Sequence, residues 1–170
     1  VSSMLPTTYN NPIERDRTMT LKDAALENLT LISSTENGVV YQLSSGDEKV
    51  ELAEGYAVVV VKLVQDSTVF ANELKVLSHL RKLNSPAGIV KILGFECNQN
   101  ALLLGFAGPS LSNTDYTGWR SKGFVSVVRS LEYLHRTARV LHCDIRPANI
   151  LASKLNEFCI VDFGYAVHLE

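Results

Sequence analysis

The order of apolar and polar positions gives the first part of the chain a β character. Leu29–Ile32, Val39–Leu43, Val50–Leu52 and Tyr56–Val64 are short branched or aromatic stretches, separated by Glu-Asn-Gly, Ser-Ser-Gly-Asp and Ala-Glu-Gly. Branched and aromatic residues suit a pleated surface and the separators suit tight turns, so the pattern predicts an antiparallel meander. Val58–Val61 lacks polar alternation, which predicts a strand buried on both faces. Lys62 ends that run. A lysine on so buried a strand must reach water, a carboxylate or an anionic ligand, because an unpaired buried charge is costly.

A helix is expected over residues 69–83, with Val69, Leu74, Leu77 and Leu80 as its apolar stripe and Asn84-Ser85-Pro86 as its stop. Two strands follow, Ile89–Leu93 and Ala101–Phe106, joined through Asn98-Gln99-Asn100, before a break at Gly108-Pro109. The second half opens on a polar loop, Ser112–Ser121. A helix over Phe124–Thr137 follows, with Val125, Val128, Leu131 and Leu134 as its apolar positions. Short strands are expected at Val140–Leu141, Ile150–Leu151 and Phe158–Val161. Residues 1–27 are rich in turn formers and read as an extension, with a short helix at Thr20–Glu27. The order β-β-β-α-β-β, a break, then a helix and short strands is an α+β arrangement in two lobes.

Composition narrows the class. Among 170 residues, 46% are hydrophobic and 20% charged, too apolar for a disordered chain. The net charge of −2 supplies no electrostatic reason for a nucleic-acid or anionic-membrane partner. No apolar run approaches the ~18–20 residues of a membrane helix. Cys97, Cys143 and Cys159 are odd in number and lack metal-ligand spacing, as expected of reduced thiols in an intracellular, cytoplasmic protein.

The chemistry concentrates in the second half. In Leu141-His142-Cys143-Asp144-Ile145-Arg146-Pro147-Ala148-Asn149-Ile150-Leu151 a carboxylate stands five residues before a carboxamide, on a loop between apolar strands. Thirteen residues after Asn149 comes Asp162, just past an apolar strand and before Phe163-Gly164. Two oxygen ligands, Asn149 and Asp162, suit Mg²⁺, which completes its octahedron with phosphates and water. Asp144 is then placed to accept a proton from an attacking hydroxyl.

His142-Cys143-Asp144 with Asn149 resembles the catalytic loop of eukaryotic-type protein kinases, and Asp162-Phe163-Gly164 resembles their metal-binding triplet. Lys62 resembles the strand lysine that holds the α- and β-phosphates, and Glu73 the helix glutamate that pairs with it. Gly105, Phe106 and Ala107 lie where the adenine-binding hinge would be. Ser130-Leu131-Glu132-Tyr133-Leu134-His135 resembles the helix that leads into the catalytic loop. The resemblance covers about residues 29–168. It implies a protein-kinase-like two-lobe fold: an antiparallel five-stranded N-lobe with one long helix (28–107) and a partial C-lobe (108–170). It further implies ATP and Mg²⁺ as cofactors, and a structural role for His142.

The sequence departs from that family in four places. The Gly-rich loop is depleted: in one register its glycine positions are Ser33, Thr35 and Gly38; in another, the loop is Ser44–Lys49 with Gly46 alone matching. Fewer glycines limit the approach of backbone to phosphate. Cys143 stands where most members carry an arginine that pairs with a phosphorylated activation loop. Arg146 replaces the loop lysine, keeping the charge near the γ-phosphate but delivering it through a planar fork. The chain stops six residues after Gly164, before the segments that build the family's peptide-binding platform. Apolar faces in the second half are therefore expected to take a protein partner or a second copy. Two functions compete: a phosphotransferase acting on a hydroxyl, with a Ser/Thr protein as acceptor, and a truncated pseudokinase that binds or mimics a kinase partner. A small-molecule kinase of the aminoglycoside or choline type is a weaker third.

Overall fold

The computed structural model describes residues 29–43, 59–105, 108–113, 121–152 and 158–169. Expectations for residues 1–27, the Val50–Leu52 strand, the Ser44–Lys49 loop and the pair Phe106–Ala107 lie outside them. Among the described residues, no helix is long and apolar enough to cross a membrane.

Five strands form one antiparallel sheet: β1 (Leu29–Thr35), β2 (Gly38–Leu43), β3 (Val59–Val64), β4 (Ile92–Glu96) and β5 (Ala101–Gly105), in the spatial order β1-β2-β3-β5-β4. β3 is central and paired along both edges, with β2 on one side and β5 on the other. Val59 and Val61 pack with Leu43, Leu93, Ala101 and Leu103 on one face. Val60 and Val64 join the larger cluster on the other, which contains Phe70, Leu77 and Leu80 of the helix α1 (Ser67–Lys82). Lys62 shares that second face because side chains alternate along a strand. The first hairpin turns at Glu36-Asn37, where Glu-Asn-Gly predicted a turn.

The Asp66 carboxylate starts α1 by accepting from the amides of Thr68 (2.7 Å) and Val69 (3.2 Å), and these two bonds hold its pKa below the usual value. The helix buries Phe70, Glu73, Val76, Leu77 and Leu80, whereas Val69 and Leu74 are only half-buried. Two expected boundaries move. The strand read at Ile89–Leu93 begins at Ile92, and Ile89 instead bridges to Ile160 in the second half. Asn100, in the left-handed conformation (φ 48°), ends a short 3-10 turn between β4 and β5.

The second half is built around α2 (Ser121–Tyr133), which runs on as a π-helical turn, Leu134–Ala138. Gly123, Val127, Ser130 and Leu134 face inward. Val125 and Val128 do not, at 45% and 63% exposed, which corrects their expected place on the buried stripe. The reason is periodic: positions spaced strictly by three drift about 60° per step around a helix, whereas spacings of four and three alternately stay on one face. Two short strand pairs follow among the described residues, β6 (Val140–Leu141) with β9 (Val167–His168) and β7 (Ile150–Ala152) with β8 (Phe158–Ile160), plus an isolated bridge from Ser110 to Leu151. The halves are locked by main-chain bonds between Val90 and Ile160 (3.0 Å) and Ile160 and Gly88 (2.9 Å). His79 of α1 also donates to Ala138 O (3.0 Å).

Candidate functional site

Three side chains far apart in sequence form one bonded cluster. The Lys62 ammonium, on β3, donates to Glu73 Oε2 (2.7 Å) and Oε1 (3.0 Å) and to Asp162 Oδ1 (2.8 Å). The Glu73 side chain is fully buried, that of Lys62 nearly so, and that of Asp162 a third exposed. Burial by itself would pull the Lys62 ammonium down, but the two carboxylates outweigh it and raise the group above its ordinary value. At Glu73 burial dominates and lifts the carboxyl, with Lys62 opposing it. At Asp162 burial also pushes upward, but Lys62 prevails and holds the carboxyl below its ordinary value. A single cation is therefore shared between a buried anion and a more open one.

The residues after Asp162 are fixed against α1. Asp162 takes a positive φ of 68°, which turns the chain sharply after β8. The Phe163 amide donates to Glu73 Oε1 (3.3 Å), and its ring is fully buried against that of His142, centroids 4.7 Å apart. The Gly164 backbone lies so near α1 that a Cβ there would come 2.6 Å from Val69 Cγ1.

A second cluster holds Asp144, Arg146 and Asn149. The Asn149 carboxamide nitrogen donates to Asp144 Oδ2 (2.8 Å) and to its carbonyl (3.0 Å), while Arg146 Nε meets the same Oδ2 at 3.2 Å. Pro147 opens a 3-10 turn that ends in Asn149, which is buried, and so brings the carboxamide back onto Asp144.

His142 ties the two clusters together. Its Nε2 meets the Val161 carbonyl at 2.9 Å, and a carbonyl only accepts, so Nε2 carries the proton. Nδ1 then accepts from the Asp144 amide (3.3 Å). The Val161 amide donates in turn to Asn149 O (3.0 Å). Residues beside Asp162 are thus pinned to residues beside Asp144. Burial depresses the His142 pKa and keeps the ring neutral, in the structural role the sequence implied.

The remaining expected positions stand apart. Gly38 begins β2, and a Cβ there would lie 2.3 Å from Leu63 O, so close packing of β2 on β3 already demands a glycine. Thr35 Oγ1 donates to Gly38 O (3.3 Å) and accepts from the Asn37 amide (3.3 Å), closing the hairpin on itself. Gly105 ends β5 and donates to Lys91 O (3.0 Å). Cys143 is exposed, with φ 64°. Among the described residues, no group of three or more His, Cys, Asp or Glu side chains could hold a metal ion, so zinc-type ligation has no candidate there. Sequence reasoning passed over Asn72, whose carboxamide nitrogen donates to the carbonyls of Gly164 and Ala166. Its only sequence signal is a polar residue beside Glu73 and three positions after Val69.

The chain is similar in sequence to known proteins. The chain is 34% identical to LysM domain receptor-like kinase 10 of Oryza sativa subsp. japonica over 116 residues, 61% of this chain and 18% of that protein. It is 34% identical to LysM domain receptor-like kinase 3 of Medicago truncatula over 120 residues, 63% of this chain and 18% of that protein. With Protein SUPPRESSOR OF NPR1-1 CONSTITUTIVE 4 of Arabidopsis thaliana it shares 31% over 149 residues, 76% of this chain and 12% of that protein. The chain thus spans less than a fifth of the length of these relatives. The protein kinase domain family matches residues 27–170, the whole of the described sheet, helices and catalytic-type loop, and the chain belongs to that family.

Proposed function

We propose that the chain is an ATP- and Mg²⁺-dependent phosphotransferase domain whose acceptor is a hydroxyl, that of a Ser or Thr side chain in a protein. The observation that carries this reading is the Lys62 ammonium held between Glu73 and Asp162 at 2.7 and 2.8 Å. Lys62 is the group for the α- and β-phosphates, and Glu73 keeps it in place. The Asn149 nitrogen is committed to Asp144, which leaves its oxygen to offer to a cation. With Asp162 it makes a pair of oxygen ligands, the donor set Mg²⁺ accepts alongside phosphates. Bound magnesium would neutralise charge on the phosphates and on the transferred group. Asp144, oriented by Asn149 and Arg146, is the acceptor for the hydroxyl proton, and Arg146 adds positive charge beside it. Gly105, Phe106 and Ala107 are the hinge against adenine, and Gly38 belongs to the loop above the phosphates. Residues 28–107 form the smaller lobe and 108–170 part of the larger, with residues 1–27 as an extension.

A second reading, a pseudokinase-type binding module, is favoured by the β1–β2 hairpin. In the register that ends on Gly38, Ser33 and Thr35 stand at two glycine positions, and Thr35 closes the turn. The exposed Phe124 and Val128 of α2 offer such a module an apolar face for a protein partner or second copy. Thermal denaturation with and without Mg-ATP separates the two. The phosphotransferase reading expects a stabilising shift that Asp162→Ala abolishes, and labelled-phosphate transfer that Asp144→Asn abolishes. No shift up to millimolar Mg-ATP overturns it in favour of the binding module.

A further inference from the structure

The Asn72 side chain has a place in the site that the kinase reading does not assign. It stands on α1 immediately before Glu73, and its carboxamide nitrogen donates to Gly164 O and to Ala166 O, both at 2.9 Å. A carboxamide has two N–H groups, so this geometry uses both donors on the same short stretch of main chain. The stretch is itself a turn, closed by the Ala166 amide donating to Phe163 O (3.1 Å). Three successive points of one α1 face meet it: Val69 against the bare Cα of Gly164, Asn72 against the two carbonyls, and Glu73 against the Phe163 amide. Positions i, i+3 and i+4 lie on one side of a helix, so no rearrangement of α1 is needed to reach all three.

We infer that Asn72 is a positioning residue. By holding the Phe163–Ala166 turn to α1 it makes Asp162 and Glu73 move as one body, so that Lys62 stays in reach of both. The contact goes to main-chain carbonyls and is therefore indifferent to the side chains at Tyr165 and Ala166. Without it, the carbonyls of two buried residues lose their donor, and the hydrogen bonding of the turn to α1 falls back on the weaker Phe163–Glu73 bond at 3.3 Å, beside the packing of Gly164 on Val69. Asp162 could then leave Lys62 while Lys62 and Glu73 remain paired. The consequence for metal and nucleotide rests on the phosphotransferase reading above; the tether itself does not.

The test uses the full-length protein with Asn72→Ala and Asn72→Asp. The aspartate matches the asparagine in size but presents oxygens to the carbonyls and cannot donate, so both variants are expected to behave alike. In ligand-free protein, hydrogen exchange at the amides of Ala166 and Leu169 is expected to rise about tenfold, the equivalent of about 1.4 kcal/mol, while that of β3 and of the α1 core stays unchanged. Gly164→Ala, which pushes the turn away from Val69, is expected to reproduce this. In titrations, the affinity for Mg-ATP is expected to fall about tenfold while that for ATP in EDTA is unaltered, since Lys62 and Glu73 keep their bond. Unchanged exchange at Ala166 and Leu169 overturns the inference. So does acceleration spread evenly over β3 and α1, or an equal loss of both nucleotide affinities. A wild-type protein that binds no nucleotide overturns the functional reading instead, and exchange in the ligand-free state then decides the tether.

Discussion

Glu73 is a carboxylate with no access to water, and the Lys62 ammonium is the cation that makes its burial tolerable. Removing one partner of a buried pair leaves the other uncompensated, at a cost of about 3–5 kcal/mol, whereas replacing both is often near neutral. Lys62→Met is accordingly expected to lower stability at pH 7 by about 3 kcal/mol, and Lys62→Met/Glu73→Gln to recover at least half of that. Urea denaturation of the two variants against wild type checks it; a double variant no more stable than the single one would refute the argument. The sign of the pH effect follows from Glu73. Burial already raises its pKa, and loss of Lys62 raises it further, so the single variant's deficit should shrink as pH falls and the carboxyl takes up a proton. At this scale the sequence was informative about Lys62, because a lysine closing a run of valines poses an electrostatic problem on sight. It was less so about Glu73, which alone reads as one more charge on a helix surface. Asn72 was not legible at all: its partners lie 92 and 94 residues away, and only the packed turn brings them to it.

Between Leu141 and Ile150 an entire loop is organised by one neutral imidazole. His142 donates through Nε2 to Val161 O and accepts through Nδ1 from the Asp144 amide. A second proton on Nδ1 would face an N–H donor and break the latter bond. The depressed pKa of His142 agrees with this geometry: burial is the main cause and outweighs the attraction of Asp162 and Asp144. For a base whose folded pKa lies below its unfolded value of about 6.5, the folded state binds fewer protons. Its contribution to stability is complete above that pH and is lost as pH falls through the folded value. Denaturant midpoints are therefore expected to decline from pH 7 towards pH 5, and His142→Gln to flatten the slope. Part of the slope should persist, because His168 on β9 is also depressed, by burial first and then by His79 and Lys75. An unaltered slope in His142→Gln would refute the role given to this ring. Elements of this kind differ in legibility. β6 was read at its full extent because Val140 and Leu141 stand alone between polar residues; β3 was read within Tyr56–Val64, of which Val59–Val64 is described, because Val58–Val61 lacks polar alternation. β9 was not, since Val167 and His168 become a strand only by pairing with β6. The inward face of α2 was misread because its valines recur every three residues and the helix does not.

Among the described residues the larger apolar cluster runs from the α1 face of the sheet through Phe163 to α2 and β8, and a smaller one lies on the opposite face of the sheet. Apolar stretches from both halves contribute to the larger cluster, while the chain breaks between them at Gly108-Pro109, and that break is what made two lobes legible in the sequence. Outside that cluster, α2 presents Phe124, Val125 and Val128 at 54%, 45% and 63% exposure, while Val127 between them is buried. Apolar area left in water favours burial against another surface by about 25 cal/mol per Å². The 170-residue chain is therefore expected to self-associate through this face. Adjacent valines make the test clean. Val128→Glu puts a charge where the side chain already meets water, so it should leave the denaturant midpoint of the monomer within about 0.5 kcal/mol of wild type and abolish association in sedimentation velocity. Val127→Glu buries that charge without a partner beside Leu134 and Phe158 of the same core, and should unfold the protein. A monomeric wild-type chain across the micromolar range would refute self-association through this face. An associating Val128→Glu variant would move the contact to another exposed apolar pair, Leu31 and Ile32 on β1, at one edge of the sheet.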